Sequence, residues 1–342
     1  MIYTSYKIDP SGLFWGEGFE RTASEYMLQE KYILGYERLD GRKLNEVYAK
    51  NVPEAPEVLI NGSSRSMTIS KNIAPNKSFY NCANTGGDRY DFFNGYYVFA
   101  KEGKEPTTII LSIDPWLFNS SHEAIDKRSN KELYYEFMNK ELGFTQYKYT
   151  PTDQREKYMA LFSPSYFQAS VRYYRRDTSQ ELKPEPVVGD PHCQTSVVKC
   201  PDGSIIYDVS FMSRTKDEID NDLVATANPN QALLRMIDFY ELDPVFKDQF
   251  IAFIEYLQKK NIEVVLFLPP YHQYFYDFAD AHRDLYQSFF DVEDFCTDTA
   301  KKYNLKIYGS FNPAKLGMEY EDFLDSFHMR PTSAIKALPV LF

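Results

Sequence analysis

The chain has 342 residues, of which 43% are hydrophobic and 25% are charged, and such shares are ordinary for a globular protein. Its formal net charge of −11 argues against a nucleic-acid groove, which needs a basic surface, so we expect no nucleic acid among its partners. Four scattered cysteines without a CxxC pair argue against a structural zinc site, and the sequence gives no sign of a metal or a cofactor.

Aromatic residues are abundant, since 28 tyrosines and 26 phenylalanines raise the aromatic share to 16%. Aromatic side chains beyond the needs of a core often line carbohydrate or partner surfaces, although packing remains the alternative for any single one. No apolar run approaches the roughly 18 residues of a membrane span, and the first residues lack the apolar centre of a signal peptide. The sequence as it stands predicts a soluble chain.

Residues 1–56 are predicted to form a helical arm. Apolar residues recur on one helical face across the range 20–34, and Gly35 is placed to end that helix. Pro53 and Pro56 then mark a boundary before the first strand.

Residues 57–119 alternate between apolar strands and polar loops, as the first half of a parallel α/β core requires. Strands are predicted at 58–60, 78–81 and 107–113, and a crossover helix at 91–100. Small or polar residues follow each strand, namely Gly62-Ser63-Ser64, Asn84-Thr85-Gly86-Gly87 and Asp114-Pro115-Trp116. Because the carboxyl ends of parallel strands meet at one crevice, we expect these three loops to form a site.

Residues 120–243 break this alternation and are predicted to form an insertion that covers or shapes the site. A helix is expected at 129–142, and Pro201-Asp202-Gly203-Ser204 between two apolar stretches predicts a β-hairpin. Three arginines either meet an anionic substrate or lie on a solvated helix face: Arg172, Arg175 and Arg176. Cys193 and Cys200 either form a disulfide or remain thiols.

Residues 244–342 return to the α/β pattern and are predicted to form the second half of the core. Helices are expected at 244–260 and 292–303, and strands at 262–268 and 305–308. The chain therefore predicts an α/β fold with a parallel sheet of about five strands, interrupted by a large insertion.

A nucleophile and its base can be proposed from the loops. Ser64 follows the first strand, and residues 67–69 can begin a helix whose free N–H groups would hold an oxyanion. A serine hydroxyl needs a base, and His328 is the strongest of five histidines, because Asp325 three residues earlier can accept from one of its nitrogens. His272 is the reserve base, and otherwise a substrate contact or a plain loop residue.

These residues resemble a known superfamily. The triplet Gly62-Ser63-Ser64, the glycine-containing loop at 84–87 and Asp325-x-x-His328 are similar to the motifs of the SGNH or GDSL esterases and acyltransferases. Three segments resemble more narrowly the bacterial cell-envelope branch, which includes teichoic-acid D-alanyl transfer and alginate O-acetylation proteins. They are Ile60-Asn61-Gly62-Ser63-Ser64-Arg65, Asp114-Pro115-Trp116-Leu117-Phe118 and Leu268-Pro269-Pro270-Tyr271-His272.

The resemblance covers roughly residues 57–118 and 244–335, and it implies a three-layer α/β/α fold of the SGNH type with a flavodoxin-like sheet. It also implies that Ser64 is the nucleophile, His328 the base and Asp325 the residue that orients the base. The backbone N–H groups of Ser64 and Gly86 would then form the oxyanion hole.

Asp114 departs from the pattern of the superfamily, which usually supplies an asparagine to the oxyanion hole at this position. An ionised carboxylate would repel the oxyanion. Either Asp114 has another role, such as holding a loop or orienting Arg65, or Asn84 supplies the donor, or the hole is weaker. For Asn84 a plain turn role is the alternative.

The resemblance implies serine-dependent transfer of an acyl group onto or off a cell-surface polysaccharide. A polysaccharide or acylated glycan would be the substrate, and envelope relatives often work beside a membrane-embedded acyl donor protein. It implies a location in the cell envelope, outside the cytoplasmic membrane, and a cytoplasmic location is the alternative. A carbohydrate esterase of the same fold is the alternative activity. A non-catalytic glycan-binding or scaffold protein, with tyrosines and Trp116 as sugar platforms, is the alternative from another class.

Overall fold

A computed structural model describes residues 1–8, 14, 16–36, 39–122, 129–147, 158–176, 186–192, 195–228, 236 and 239–341 of the chain. The strands in this part are β1 Tyr32–Leu34, β2 Val58–Asn61, β3 Phe79–Asn81, β4 Thr108–Ser112, β5 Val187–Gly189, β6 Val198–Lys199, β7 Ile205–Ile206, β8 Glu263–Leu268 and β9 Lys306–Gly309. The α-helices are α1 Ile2–Ile8, α2 Gly16–Met27, α3 Gly41–Asn51, α4 Arg89–Ala100, α5 Lys131–Lys140, α6 Pro164–Arg176, α7 Val209–Met212, α8 Lys216–Thr226, α9 Pro244–Lys259, α10 Gln273–Ala281, α11 Arg283–Tyr303 and α12 Ala334–Ala337. No described helix is both long enough and apolar enough to cross a lipid bilayer.

A parallel sheet of five strands lies at the centre, in the order β3-β2-β4-β8-β9. Counted along the chain, these strands are arranged 2-1-3-4-5, which is the order of flavodoxin-like doubly wound sheets. The predicted α/β class and the five parallel strands are thus confirmed. In such sheets ligands bind at the carboxyl edge where the strand order reverses, which here lies between β2 and β4.

The two faces of this sheet bury different residues because successive strand side chains point in opposite directions. Leu59, Ile109 and Leu266 pack into a large aromatic-rich core beneath α3, α4, α9 and α11. Val58, Ile110 and other alternate residues pack on the opposite face against turns, 3₁₀ segments and α12. This arrangement is compatible with a three-layer α/β/α fold whose second outer layer is thin.

A second, antiparallel sheet has the order β5-β1-β6-β7 and joins the N-terminal region to the predicted insertion. Its β6 and β7 form the predicted hairpin. The expected helix at 20–34 is wrong beyond Met27, because the chain turns at Glu30, with φ of 59°, and continues as β1. The strands that pair with β1, namely β5 and β6, come more than 150 residues later in the chain. Gly35, directly after β1, donates to the Oγ of Ser196, 161 residues away. Such long-range pairing is invisible to a local helical pattern.

Other predicted elements are found with small changes of length. The crossover helix begins at Arg89, where Asp88 and Asp91 form a capping box, and the helix expected at 292–303 is the second half of α11. The preceding α10 was not predicted. The side chains of Arg172, Arg175 and Arg176 and the whole of Cys193 lie outside the described residues.

Candidate active site

The loop after β2 is a tight turn, whereas the sequence predicted the start of a helix there. Its bonds run three residues back, from Ser66 N–H to Ser63 O at 3.0 Å and from Ile69 N–H to Ser66 O at 3.0 Å. The side-chain amide of Asn81 occupies the carbonyls of Ser66 at 2.9 Å and of Ile69 at 2.8 Å, and the hairpin residue Ile205 occupies that of Met67. These contacts and the three-residue spacing of the backbone bonds hold the loop as a turn.

Two glycines bring the first and second site loops into contact. A Cβ atom on Gly87 would lie 2.8 Å from the carbonyl oxygen of Gly62 and 3.2 Å from the Cα of Ser63. The N–H of Asn84 donates to that same Gly62 oxygen at 3.0 Å. The loop at 84–87 is thereby held against Gly62 and Ser63, as the predicted meeting of the strand ends requires.

The structure brings Ser64, His328 and Asp325 into one hydrogen-bonded chain. His328 Nε2 lies 3.0 Å from Ser64 Oγ, and His328 Nδ1 lies 2.8 Å from the nearer Asp325 carboxylate oxygen. Ser64 and His328 are partly exposed whereas Asp325 is buried, so a substrate can reach the hydroxyl but not the acid. These distances and this order of groups are those of a serine, a general base and an acid that orients the base.

Asp325 is fixed as an ionised acceptor by its own loop. Its Oδ1 accepts the N–H groups of Phe327 at 2.8 Å and of His328 at 2.7 Å. Burial acts to raise the pKa of Asp325, but the charge and hydrogen bond of His328 and the two backbone bonds outweigh it, so that the pKa is lowered. A carboxylate that stays ionised can hold the Nδ1–H tautomer of His328 and leave Nε2 to accept a proton.

The backbone N–H groups of Ser64 and Gly86 are the predicted donors of the oxyanion hole. Among the described residues, neither the N–H of Ser64 nor that of Gly86 donates a hydrogen bond. Gly86 has a left-handed φ of 59°, which turns the loop at this point. Open N–H groups beside a nucleophile are what an oxyanion hole requires.

The side chain of Asn84 is engaged elsewhere. Its amide nitrogen donates to the carbonyl of Cys82 at 3.3 Å, and its oxygen lies 3.5 Å from the amide nitrogen of Asn45 on α3. These contacts agree with a plain turn role for Asn84, the alternative to an oxyanion donor. Trp116 is also buried, with its Nε1 donating to the carbonyl of Gly87 at 3.0 Å, so it is not a surface platform.

Asp114 forms a buried ion pair with Arg65. The guanidinium Nη1 lies 2.9 Å from Asp114 Oδ1, and both side chains are almost completely buried. Burial raises the pKa of Asp114, and the positive charge of Arg65 opposes this. The same guanidinium donates to the carbonyls of Pro269 and Pro270, and its Nε lies 3.3 Å from the carbonyl of Phe327. Arg65 thus joins the first site loop to the third loop, to the end of β8 and to the loop of His328.

Segments of the predicted insertion contact the His328 loop directly. The rings of Tyr207 and Phe211 lie 6.2 and 6.1 Å from the imidazole of His328. Asp222 on α8 accepts the Oγ–H of Ser326 at 3.0 Å, and Arg330 donates to the carbonyl of Met212 on α7 at 2.7 Å. Parts of this region therefore contact the loop that carries His328, and its role in shaping the site stays a prediction.

His272, the reserve base, is buried and caps α10. Its Nδ1 accepts the N–H of Tyr274 at 3.1 Å, and its ring packs at 5.0 Å against that of Tyr320. Burial lowers the pKa of this imidazole. The histidine in contact with Ser64 is His328. The backbone N–H of His272 donates to the carbonyl of Ser326 at 3.1 Å and so supports the loop that carries His328.

Several residues of the site could not be found by sequence reasoning. The Asn81 amide and the Tyr207 and Phe211 rings belong to segments whose local patterns predict only a strand end and a hairpin flank. Their roles depend on contacts across the fold. The only usable signal is that Asn81 is a polar residue at the carboxyl end of a buried strand.

Comparison with known proteins adds no relative, since no protein family, curated protein or solved structure matches the chain.

Proposed function

We propose that the protein is a serine-dependent acyl-transfer enzyme of the SGNH type, in which Ser64 is the nucleophile, His328 the general base and acid, and Asp325 the orienting carboxylate. The observation that carries the proposal is the 3.0 Å contact between Ser64 Oγ and His328 Nε2, backed by the 2.8 Å contact of Nδ1 with Asp325. A histidine that meets a carboxylate at one ring nitrogen and a serine hydroxyl at the other has the geometry in which the proton of the serine can be removed.

The reaction would proceed in two balanced steps. In the first, Ser64 Oγ attacks the carbonyl carbon of an acyl ester while its proton passes to His328 Nε2, and the oxyanion accepts from the N–H groups of Ser64 and Gly86. The carbon–oxygen bond to the alcohol breaks, and the departing oxygen takes the proton from His328. In the second, His328 removes the proton of an acceptor hydroxyl, whose oxygen attacks the carbonyl carbon of the acyl-enzyme. The bond from that carbon to Ser64 Oγ breaks, and His328 returns the proton to Ser64 Oγ.

The molecule that accepts the acyl group from Ser64 distinguishes a transferase from an esterase. A sugar hydroxyl makes it an O-acyltransferase, and water makes it a carbohydrate esterase. We propose a cell-surface polysaccharide as the acyl acceptor or donor, a location outside the cytoplasmic membrane, and cooperation with a membrane-embedded acyl donor protein. These finer statements rest on the motif resemblance.

A fluorophosphonate probe tests the nucleophile. We expect the intact protein to be labelled on Ser64, Ser64→Ala to remain unlabelled, and Ser63→Ala to be labelled, since Ser63 is the adjacent buried hydroxyl. Equal labelling of wild type and Ser64→Ala, or no labelling of wild type, would contradict the proposal and favour a glycan-binding or scaffold role. Mass spectrometry of an acetylated oligosaccharide mixed with an unacetylated one then separates transfer from hydrolysis.

A further inference from the structure

Two aromatic side chains from the predicted insertion, Tyr207 and Phe211, pack against the imidazole of His328. The rings of Tyr207 and Phe211 contact each other at 4.7 Å between centroids. Each presents itself edge-to-face to the imidazole of His328, at 6.2 and 6.1 Å. Tyr207 directly follows β7, and Phe211 lies on the short helix α7.

These rings differ from most aromatic residues of the chain in what they pack against. Phe93 and Phe253, for example, lie in the large core, whereas Phe211 belongs to none of the described hydrophobic clusters. Tyr207 only borders a small cluster centred on Met67. Both Tyr207 and Phe211 remain partly exposed. Core packing therefore does not explain why Phe211 is aromatic.

The chemistry of the proposed reaction places the alcohol part of the ester beside these rings. His328 must hand its proton to the departing oxygen and later take one from the acceptor, so that oxygen lies within hydrogen-bond reach of Nε2. The carbonyl oxygen is held on another side, by the N–H groups of Ser64 and Gly86. Side chains that pack against the imidazole of His328 are therefore near the place of this alcohol.

We infer that Tyr207 and Phe211 form an aromatic platform for a pyranose ring, which carries the hydroxyl that gives up or receives the acyl group. This inference rests on the proposed function and names the residues that select its alcohol. Sugar rings combine an apolar face of C–H groups with hydroxyls at the rim, and aromatic rings with polar neighbours match both.

Polar neighbours lie between α7 and α8 and on α8 itself. The guanidinium of Arg214 lies 5.6 Å from the centre of the Phe211 ring and 3.8 Å from Asp222 on α8. Both side chains keep part of their surface open, 21% for Arg214 and 31% for Asp222. A donor and an acceptor next to an aromatic face suit a ring with several hydroxyls better than they suit an alkyl alcohol.

The test compares two acetyl esters that differ in the alcohol, a peracetylated methyl pyranoside and glycerol triacetate, by their kcat/KM values. We expect wild type to prefer the pyranoside, and Phe211→Ala to lose about 3- to 10-fold of that preference, which is the worth of one aromatic stacking contact. Phe211→Trp should restore it. Tyr274→Ala is the matched control, because Tyr274 is an exposed aromatic, 47% accessible, on α10.

Two outcomes would overturn the platform. If wild type shows no preference for the pyranoside, the site does not recognise the ring. If Phe211→Ala lowers both kcat/KM values by the same factor, the ring only supports His328. Labelling of Ser64 by the fluorophosphonate in the same preparations separates these cases from failure of the proposed function, since an unlabelled wild type removes the nucleophile and the platform together.

Discussion

The guanidinium of Arg65 lies 2.9 Å from the carboxylate of Asp114, in a place where both groups are shielded from water. Three further bonds from Arg65 reach the backbone at Pro269, Pro270 and Phe327. The carboxylate that would repel an oxyanion is thus paired with a positive charge. Its partner in turn holds the loop that carries His328.

Removal of Arg65 should be costly for stability. Arg65→Met leaves the buried Asp114 without its partner, so that its carboxyl either stays charged away from water or takes up a proton. We expect the free energy of unfolding to fall by about 3–5 kcal/mol. The additional substitution Asp114→Leu should restore part of this loss, because no buried charge then remains. Urea denaturation of both single variants and the double variant measures the coupling. Additive effects of the two substitutions would contradict an interacting pair.

Substitution of Asp325 should change how stability depends on pH. Because the pKa of Asp325 is lowered in the folded protein from its ordinary value of 3.8, the unfolded chain takes up this proton first as the pH falls. The carboxylate therefore stabilises the fold fully above about pH 5, and its contribution is lost as the pH falls through the lowered pKa. We expect the stability difference between wild type and Asp325→Asn to be about 1–2 kcal/mol at pH 6 and to shrink below pH 4.

The catalytic rate of Asp325→Asn provides a second measurement on this variant. Asp325→Asn should lower kcat by about 10³- to 10⁴-fold, since an amide no longer selects the required tautomer of His328. The exposed Asp298 provides the control, as Asp298→Asn removes a carboxylate on α11 far from these contacts. A pH-independent stability difference for Asp325→Asn would show that the carboxylate is not held ionised by the fold.

Loss of the Asn81 side chain should lower the rate at which Ser64 reacts without abolishing the reaction. Asn81→Ala frees the carbonyls of Ser66 and Ile69, and we expect about 1–3 kcal/mol of lost stability and slower labelling of Ser64 by a fluorophosphonate. Asn312→Ala, which removes a capping side chain from the 3₁₀ segment Pro313–Leu316, is the control. An unchanged labelling rate in Asn81→Ala would mean that the turn keeps its shape without this amide.

A methyl group at Gly87 should separate the two loops of the proposed oxyanion hole. Gly87→Ala places a Cβ 2.8 Å from a backbone oxygen of Gly62, so one loop must shift and the N–H of Gly86 moves relative to Ser64. We expect kcat to fall by about 10²-fold or more, as when one oxyanion donor is lost. Gly18→Ala in α2 meets nothing within 4 Å and should be neutral or slightly stabilising. Equal kcat values for the two variants would remove Gly86 from the hole.

The sequence patterns predicted those parts of the fold that depend on residues close together in the chain. Buried strands such as Val58–Asn61 and Glu263–Leu268 are short apolar runs, and Asp325-x-x-His328 closes on itself within one turn. The meeting of Ser64 with His328, 264 residues away, was predicted from the Asp325-x-x-His328 spacing and from the motif resemblance.

The remaining features depend on partners that lie far off in the chain. The three residues of β1 carry too little pattern to compete with a helix, and their strand partners decide the outcome. The turn at Ser64–Thr68 likewise depends on Asn81 and Ile205. The superfamily, the substrate and the location of the protein remain predictions from motif resemblance.

The position of β1 between β5 and β6 has a consequence for how this protein can be cut into fragments. β1 is an inner strand of the antiparallel sheet, paired on both edges with segments from the middle of the chain. A fragment that starts at residue 57 would lack this strand and would expose two unpaired edges beside the hairpin that bonds to Met67. Such a fragment is expected to aggregate during expression, so the shortest useful recombinant protein should retain the residues around Tyr32–Leu34.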